Sequence, residues 1–281
     1  MLKQDLDILI DDMMYSEMDV VIVLDGKEGT GKSRNARLIA KYISHVTGVE
    51  FNHNNIHFST FEYIKYSESK PKYNINVLDE SREALNKKRG MSKSNVFFTN
   101  WLSENRDKQQ VHIIVLPAIH DLDNYISVWR MSLLINCLKK HIISETSKSK
   151  YVLDRGYFKV FENGKDLQIV LQNKQRYGYY SYPRNCKYFG RFKDVEPFDE
   201  NELRNYKDKK AKQRKEKYAD ENKLSKEKQV LLELTKNLRI KYGLSDRGLA
   251  NLSGDTASHM FYSRLSKNCV ENDDVEQVTQ L

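Results

Sequence analysis

Proline and cysteine are scarce, at 4 and 3 of 281 residues. With only 12 glycines beside them, this excludes collagen-like and Pro/Gly-rich low-complexity chains. The cysteines, Cys137, Cys186 and Cys269, are odd in number and far apart. They form neither a disulfide framework nor a zinc spacing, and a reducing compartment suits them. No uncharged apolar run approaches the roughly 18 residues that a membrane span needs, so no membrane segment is expected. The opening MLKQDLDILIDDMMYSEMD is acidic where a secretory signal would be basic, and a cytoplasmic protein is expected. The seven histidines are scattered without a nucleophile–base–orienter arrangement, and His112, on an apolar strand, reads as a core residue.

Charge is abundant and unevenly placed. The formal net charge is +8. Residues 1–200 carry 30 basic and 26 acidic side chains, residues 201–268 carry 17 and 9, and residues 269–281 carry four acids and no base. The basic excess is therefore densest in the last third, where it favours a polyanionic partner. A Lys-rich solvated helix would give the same count.

Residues 20–143 alternate between strand-like and helix-like segments. VVIVLDG (Val20–Gly26) is a buried-type strand ending in glycine, and Ala36, Ile39, Ala40 and Ile43 have helical spacing. Further short strands are expected at Ile56–Ser59, Ile75–Asp79 and His112–Leu116, and Ser132–Leu138 reads as either a fifth strand or a helix. Apolar runs of this kind separated by helices indicate an α/β fold with a mostly parallel sheet covered on both faces. After residue 145 the pattern changes. YFKVFE and DLQIVLQ flank Asn163-Gly164-Lys165, a hairpin turn signal, and an aromatic-rich stretch of irregular or short β structure follows. Glu202–Lys241 holds no Gly or Pro and is heavily charged, which suits an exposed helix or linker. The expected organisation is a core at 1–145, a β-hairpin and aromatic extension at 146–200, a basic helical linker at 201–230, a small helical unit at 231–268 and an acidic tail at 269–281.

GKEGTGKS, Gly26 to Ser33, matches G-x-x-x-x-G-K-[ST] between a strand and a helix, where a phosphate-binding loop must lie. The glycines let successive N–H groups face phosphate oxygens, and the helix start adds positive partial charge. Gly26, Lys27, Glu28, Gly29, Thr30, Gly31, Lys32, Ser33 and Arg34 are thus the expected nucleotide-lining residues. Lys32 is expected to reach the β- and γ-phosphates of ATP, and the Ser33 hydroxyl to ligate Mg²⁺. NINVLDES (Asn74–Ser81) ends an apolar strand in Asp-Glu. There Asp79 would face the metal's water shell and Glu80 would polarise the attacking water, with Glu83 the next carboxylate able to act as base.

This strand–loop–helix with a strand–Asp-Glu pair resembles the additional-strand, catalytic-glutamate division of P-loop ATPases. It is most similar to the FtsK/HerA-like group, which includes zonular-occludens-toxin-like phage proteins and viral genome-packaging ATPases. The resemblance covers about residues 18–143. It extends to the helix VFFTNWLSENRDK with Arg106, the strand HIIVL, and LDNYISVWRM with Arg130 before the last core strand. It implies an ATPase working as a ring-shaped homo-oligomer, in a host cytoplasm if the chain is viral. Arg106 and Arg130 are then candidates for phosphate-contacting or trans-acting catalytic arginines, although ordinary surface arginines fit the same positions. The group usually carries a polar sensor, often Gln, at the end of the fourth strand, where this chain has Pro117-Ala118. LNKKRGMSKSN (Leu85–Asn95) is basic and either faces nucleic acid or is a solvated loop.

GLSDRGLANLSGDTASHMFYSRLSK, Gly243 to Lys267, has the rhythm of a helix-turn-helix. Thr256, Ser258, His259, Tyr262 and Arg264 are its candidate DNA-contacting residues. Asp255 stands where an apolar residue is usual, and a plain helical hairpin is the competing reading. The expected function is an ATP-hydrolysing DNA-handling protein, a translocase or packaging motor in its sharpest form. A small-molecule kinase on the same core, and a DNA-binding regulator switched by nucleotide, are the alternatives.

Overall fold

A computed structural model describes residues 1–79, 93–123, 125–143, 151–162, 167–168 and 186–216. The chain divides into two units, Met1–Lys210 and Ala211–Leu281. In the second, residues 211–216 are described. They are helical, with Lys212 and Glu216 3.9 Å apart at i,i+4 spacing.

The first unit is built on a seven-stranded sheet. The strands are β1 (Val20–Asp25), β2 (Ile56–His57), β3 (Ile75–Leu78), β4 (Val111–Val115), β5 (Leu133–Ile143), β6 (Tyr151–Glu162) and β7 (Tyr188–Arg191). Their order is β2-β3-β4-β1-β5-β6-β7. β2, β3, β4, β1 and β5 run parallel, and β6 and β7 extend the sheet antiparallel. β4 lies between the phosphate-loop strand and the Asp79 strand, which is the additional strand that the sequence resemblance implies.

β1, β3 and β4 are buried throughout and mostly apolar because both faces of the sheet are covered. Val20, Ile22 and Leu24 point to one face with Ile75, Val77, Ile113, Val115, Leu133 and Ile135. There they meet α1 (Leu2–Tyr15) through Leu6, Ile10 and Met13, and α2 (Lys32–Thr47) through Ala36, Ile39, Ala40 and Ile43. Val21, Val23, Leu78, Ile114 and Leu134 point the other way. They meet α3 (Thr60–Glu68) through Tyr63 and Ile64, and α4 (Lys93–Glu104) through Phe98, Trp101 and Leu102. Each fully buried Ile or Leu contributes about 1.5–3 kcal/mol of transfer free energy, so this alternation pins every strand's register.

The antiparallel extension departs from the sequence expectation. β5 does not stop near Leu138 but runs on to Ile143 against β6, with an irregularity at Leu138/Lys139. Opposite it, Gly156 has φ +91, and its carbonyl accepts from the Phe192 N–H at 2.9 Å. A glycine in that conformation supplies the extra residue of the bulge without Cβ strain. Leu167 and Gln168, expected in a strand, are helical. Burial of Leu167 in the second cluster and the Gln168 amide donating to the Val128 carbonyl at 3.2 Å favour this conformation. The remainder of that expected hairpin, Asn163-Gly164-Lys165 included, lies outside the described residues, as do Glu80, Glu83, most of the basic loop 85–95, the helix-turn-helix stretch with Thr256, Ser258, His259, Tyr262 and Arg264, and the acidic tail.

A last helix, α5 (residues 200–216), begins at Asp199, whose carboxylate accepts from the Glu202 N–H at 2.8 Å as an N-cap. Its residues 200–210 belong to the first unit. Tyr206 is 5% exposed in the first cluster, so the opening of the basic segment is part of the core. Among the described residues, no helix is long and apolar enough to cross a membrane.

Candidate functional site

Asp25 ends β1 fully buried, and its carboxylate accepts from the Ile119 N–H at 2.9 Å and the Asn136 amide at 2.8 Å. The strand end is thereby tied to the chain after β4 and to β5. Gly26 then turns the chain with φ +136. A Cβ there would stand 2.2 Å from the Cys137 carbonyl oxygen, so only glycine fits between β1 and β5. Gly31, at φ 90, is the N-cap of α2, and the loop Gly26–Gly31 opens at the carboxyl ends of the parallel strands. That edge is where open α/β sheets bind ligands.

Inside the loop, the Lys32 ammonium donates to the carbonyls of Gly26 at 2.5 Å and Lys27 at 3.0 Å. Burial pulls its pKa below the ordinary lysine value, against the attraction of the Asp25, Asp79 and Glu28 carboxylates. The Thr30 hydroxyl donates to the Lys27 carbonyl at 2.9 Å and braces the turn. The Arg34 guanidinium is ion-paired with Asp194. Past the bulge, Lys139 donates to the Glu28 carbonyl at 3.0 Å, which brings a second ammonium to the loop. Local sequence patterns did not mark Lys139, because it depends on β5 running beyond its pairing with β1.

Ser33 and Asp79 meet here although 46 residues separate them. The Ser33 hydroxyl donates to Asp79 Oδ1 at 3.0 Å. The backbone N–H of Asp79 donates to the His57 carbonyl at 2.8 Å, which holds the strand end in place. A hydroxyl and a carboxylate oxygen beside a phosphate loop are hard donors of the kind Mg²⁺ takes together with nucleotide oxygens, so these residues fit that cation. Asp79 Oδ2 accepts from the Tyr206 hydroxyl at 2.8 Å, with Lys210 Nζ 3.4 Å away. Burial first, and then Asp79, push the Tyr206 hydroxyl up to about 12. Burial likewise pushes the Cys137 thiol up to about 12, so it stays protonated and is a poor nucleophile.

The two arginines lie elsewhere. Arg130 donates to both oxygens of Asp19, at 2.6 and 2.5 Å, and to the Leu102 carbonyl at 3.1 Å. Asp19 precedes β1, so this pair sits at the amino ends of the strands, away from the phosphate loop of its own chain. The Arg130 side chain is only 9% exposed, and the partner it holds is a buried carboxylate. Arg106 lies in a short 3₁₀ turn before β4 at the same end and donates to the Tyr125 hydroxyl at 3.1 Å. His112 is a core residue 2.6 Å from the Tyr63 hydroxyl. Burial lowers its pKa to about 4, outweighing Asp19 at 3.8 Å, so it is neutral near pH 7. At the position where the sequence departs from the group's usual polar sensor, Pro117 offers its carbonyl to the Gly26 N–H at 3.2 Å.

No protein-family model matches the chain, and no curated protein does. Among solved structures, it is similar to the genome packaging NTPase B204 from Sulfolobus turreted icosahedral virus 2 in complex with ATP-gammaS. The two are 16% identical over 52% of this chain and 93% of that one, with a TM-score of 0.33. The N-terminal domain of zonular occludens toxin from Neisseria meningitidis is 12% identical over 66% of this chain and 96% of that one, with a TM-score of 0.35. The strand order and phosphate loop described above are, on this chain's own geometry, those of a P-loop NTPase fold.

Proposed function

We propose that the protein hydrolyses ATP and uses the energy to handle DNA, as a viral or mobile-element translocation or packaging motor acting as a homo-oligomeric ring. The observation that carries the ATPase reading is the meeting of Ser33 and Asp79 at 3.0 Å beside the Lys32 loop, at the carboxyl edge of a parallel sheet. The loop N–H groups and the start of α2 bind the phosphates. Lys32 exchanges its two carbonyl partners for phosphate oxygens and neutralises charge that grows in the transition state. When bound, Mg²⁺ supplies further positive charge at the β- and γ-phosphates. Glu80, next in sequence to Asp79, is the proposed base that takes the proton of the attacking water. Arg106 and Arg130 are supported as trans-acting groups only by the sequence resemblance.

DNA handling is supported by the excess of 17 basic over 9 acidic residues in 201–268 and by the helix-turn-helix rhythm of Gly243–Lys267. Thr256, Ser258, His259, Tyr262 and Arg264 are its proposed contacts. One experiment tests both halves: ATP turnover of the full chain with no DNA, single-stranded DNA and double-stranded DNA, each across a salt titration. Turnover that Lys32→Ala abolishes, DNA that stimulates it, and stimulation that fades with salt and with Tyr262→Ala/Arg264→Ala are expected. Turnover indifferent to Lys32→Ala would remove the ATPase reading, and indifference to DNA at every salt concentration would remove the motor.

A further inference from the structure

Tyr206 lies 127 residues beyond Asp79 in sequence, yet its hydroxyl donates to Asp79 Oδ2 at 2.8 Å. Asp79 is 2% exposed and Tyr206 5%, so water screens this bond little. The ring is held from several sides. The Arg37 guanidinium, on the helix that starts in the phosphate loop, lies 4.5 Å above it. Arg37 is itself fixed by Glu196 through bonds of 3.0 and 2.8 Å. Phe58 and Phe198 complete the cage, with ring centroids 5.8 and 6.4 Å from that of Tyr206. A flexible or solvated residue would not need such a mount. The bond divides the work of the carboxylate: Oδ1 faces the Ser33 hydroxyl and Oδ2 faces Tyr206, with Lys210 beside it.

We propose that Tyr206 is a positioning residue for the metal-facing carboxylate, so that the first turns of α5 belong to the nucleotide site. The proposal rests on reading Gly26–Ser33 as a nucleotide loop. Mg²⁺ demands near-ideal geometry from few protein oxygens, and the partners that orient a metal-binding carboxylate commonly control affinity 10- to 100-fold. Tyr206 sets the carboxylate's rotation so that Oδ1 stays on the Ser33 side. It makes no contact with the loop's phosphate-binding N–H groups, so its hydroxyl should matter only when the divalent cation takes part.

The test is nucleotide affinity of the full-length protein, read with a fluorescent ATP analogue in Mg²⁺ and again in EDTA, for the intact chain and Tyr206→Phe. The phenylalanine keeps the ring under Arg37 and removes only the donor. The expected result is a loss of about tenfold or more in the Mg²⁺ condition with no change in EDTA. Equal loss in both conditions would make Tyr206 merely structural, and equal Mg²⁺ enhancement in both proteins would show that the hydroxyl does not orient Asp79. Either outcome overturns this proposal and leaves the nucleotide loop standing. No binding by the intact chain, or binding that Lys32→Ala leaves unchanged, overturns both.

Discussion

Replacing Gly26 by alanine adds a single methyl group at the most crowded point of the phosphate loop. That Cβ would lie 2.2 Å from the Cys137 oxygen and 3.1 Å from its carbonyl carbon, where ordinary contact begins at 3.4 Å. Cys137 cannot retreat easily, because it pairs with Phe158 of β6 and directly follows the residues of β5 bonded to β1. The φ of +136 costs an L-residue about 1–3 kcal/mol, and forcing the backbone aside costs about 1–3 kcal/mol more. The sum, about 2–6 kcal/mol, is a large share of the ~5–15 kcal/mol that stabilises a typical domain. Gly29→Ala isolates the first contribution. Its φ is +75, but the nearest atom to a new Cβ is the mobile end of Lys139 at 3.7 Å, so a cost of about 1–2 kcal/mol is expected. Urea denaturation of both variants checks the difference, with nucleotide binding by equilibrium dialysis as companion. Gly26→Ala should lose clearly more stability than Gly29→Ala. Equal midpoints would mean that β5 does not pack against the loop as described.

Two further outcomes concern buried charged and titratable side chains. Arg130→Met leaves the buried Asp19 carboxylate without its main partner, and a loss of about 3–5 kcal/mol in urea denaturation is expected. Nucleotide affinity should survive in the folded fraction, and lost affinity with unchanged stability would instead place Arg130 in the nucleotide site. His112 and His57 have pKa values lowered to about 4 and about 3, chiefly by burial, so below pH 6.5 the unfolded chain binds protons that the folded chain refuses. Stability should therefore fall as pH drops from 6.5 toward 4, by up to about 3 kcal/mol from His112 alone. His112→Gln should flatten part of that slope, and an unchanged slope would refute the assignment.

What the sequence made legible was what it encodes locally. Gly26–Ser33 and the strand before it announce themselves, because a phosphate loop must place its glycines and lysine within eight positions. Asp79 was readable because an apolar strand ends there. α1 is also encoded locally, since Leu6, Ile10 and Met13 fall on one face. Tyr206 was not readable: in YKDKKAKQRKEK it looks like one residue of a solvated basic helix, and only the fold brings it to Asp79. Arg130 is the same case in reverse. Its local setting suits a catalytic arginine, while the carboxylate that occupies it lies 111 residues earlier.

The sheet order also has a bearing on how the protein is made. β1 carries the phosphate loop and leaves the ribosome well before its two neighbours, β4 and β5, which pair with it from Val111 and Leu133 onward. Until synthesis passes residue 136, the hydrogen-bonding edge of β1 facing β5 has no partner. Its six residues, all buried in the finished fold, meanwhile have no complete core to enter. Such long-range parallel pairings form slowly and leave sticky edges exposed while they wait. The phosphate loop is therefore made long before it is secured, and a polypeptide stalled before Leu133 is expected to aggregate or seek a chaperone rather than capture nucleotide.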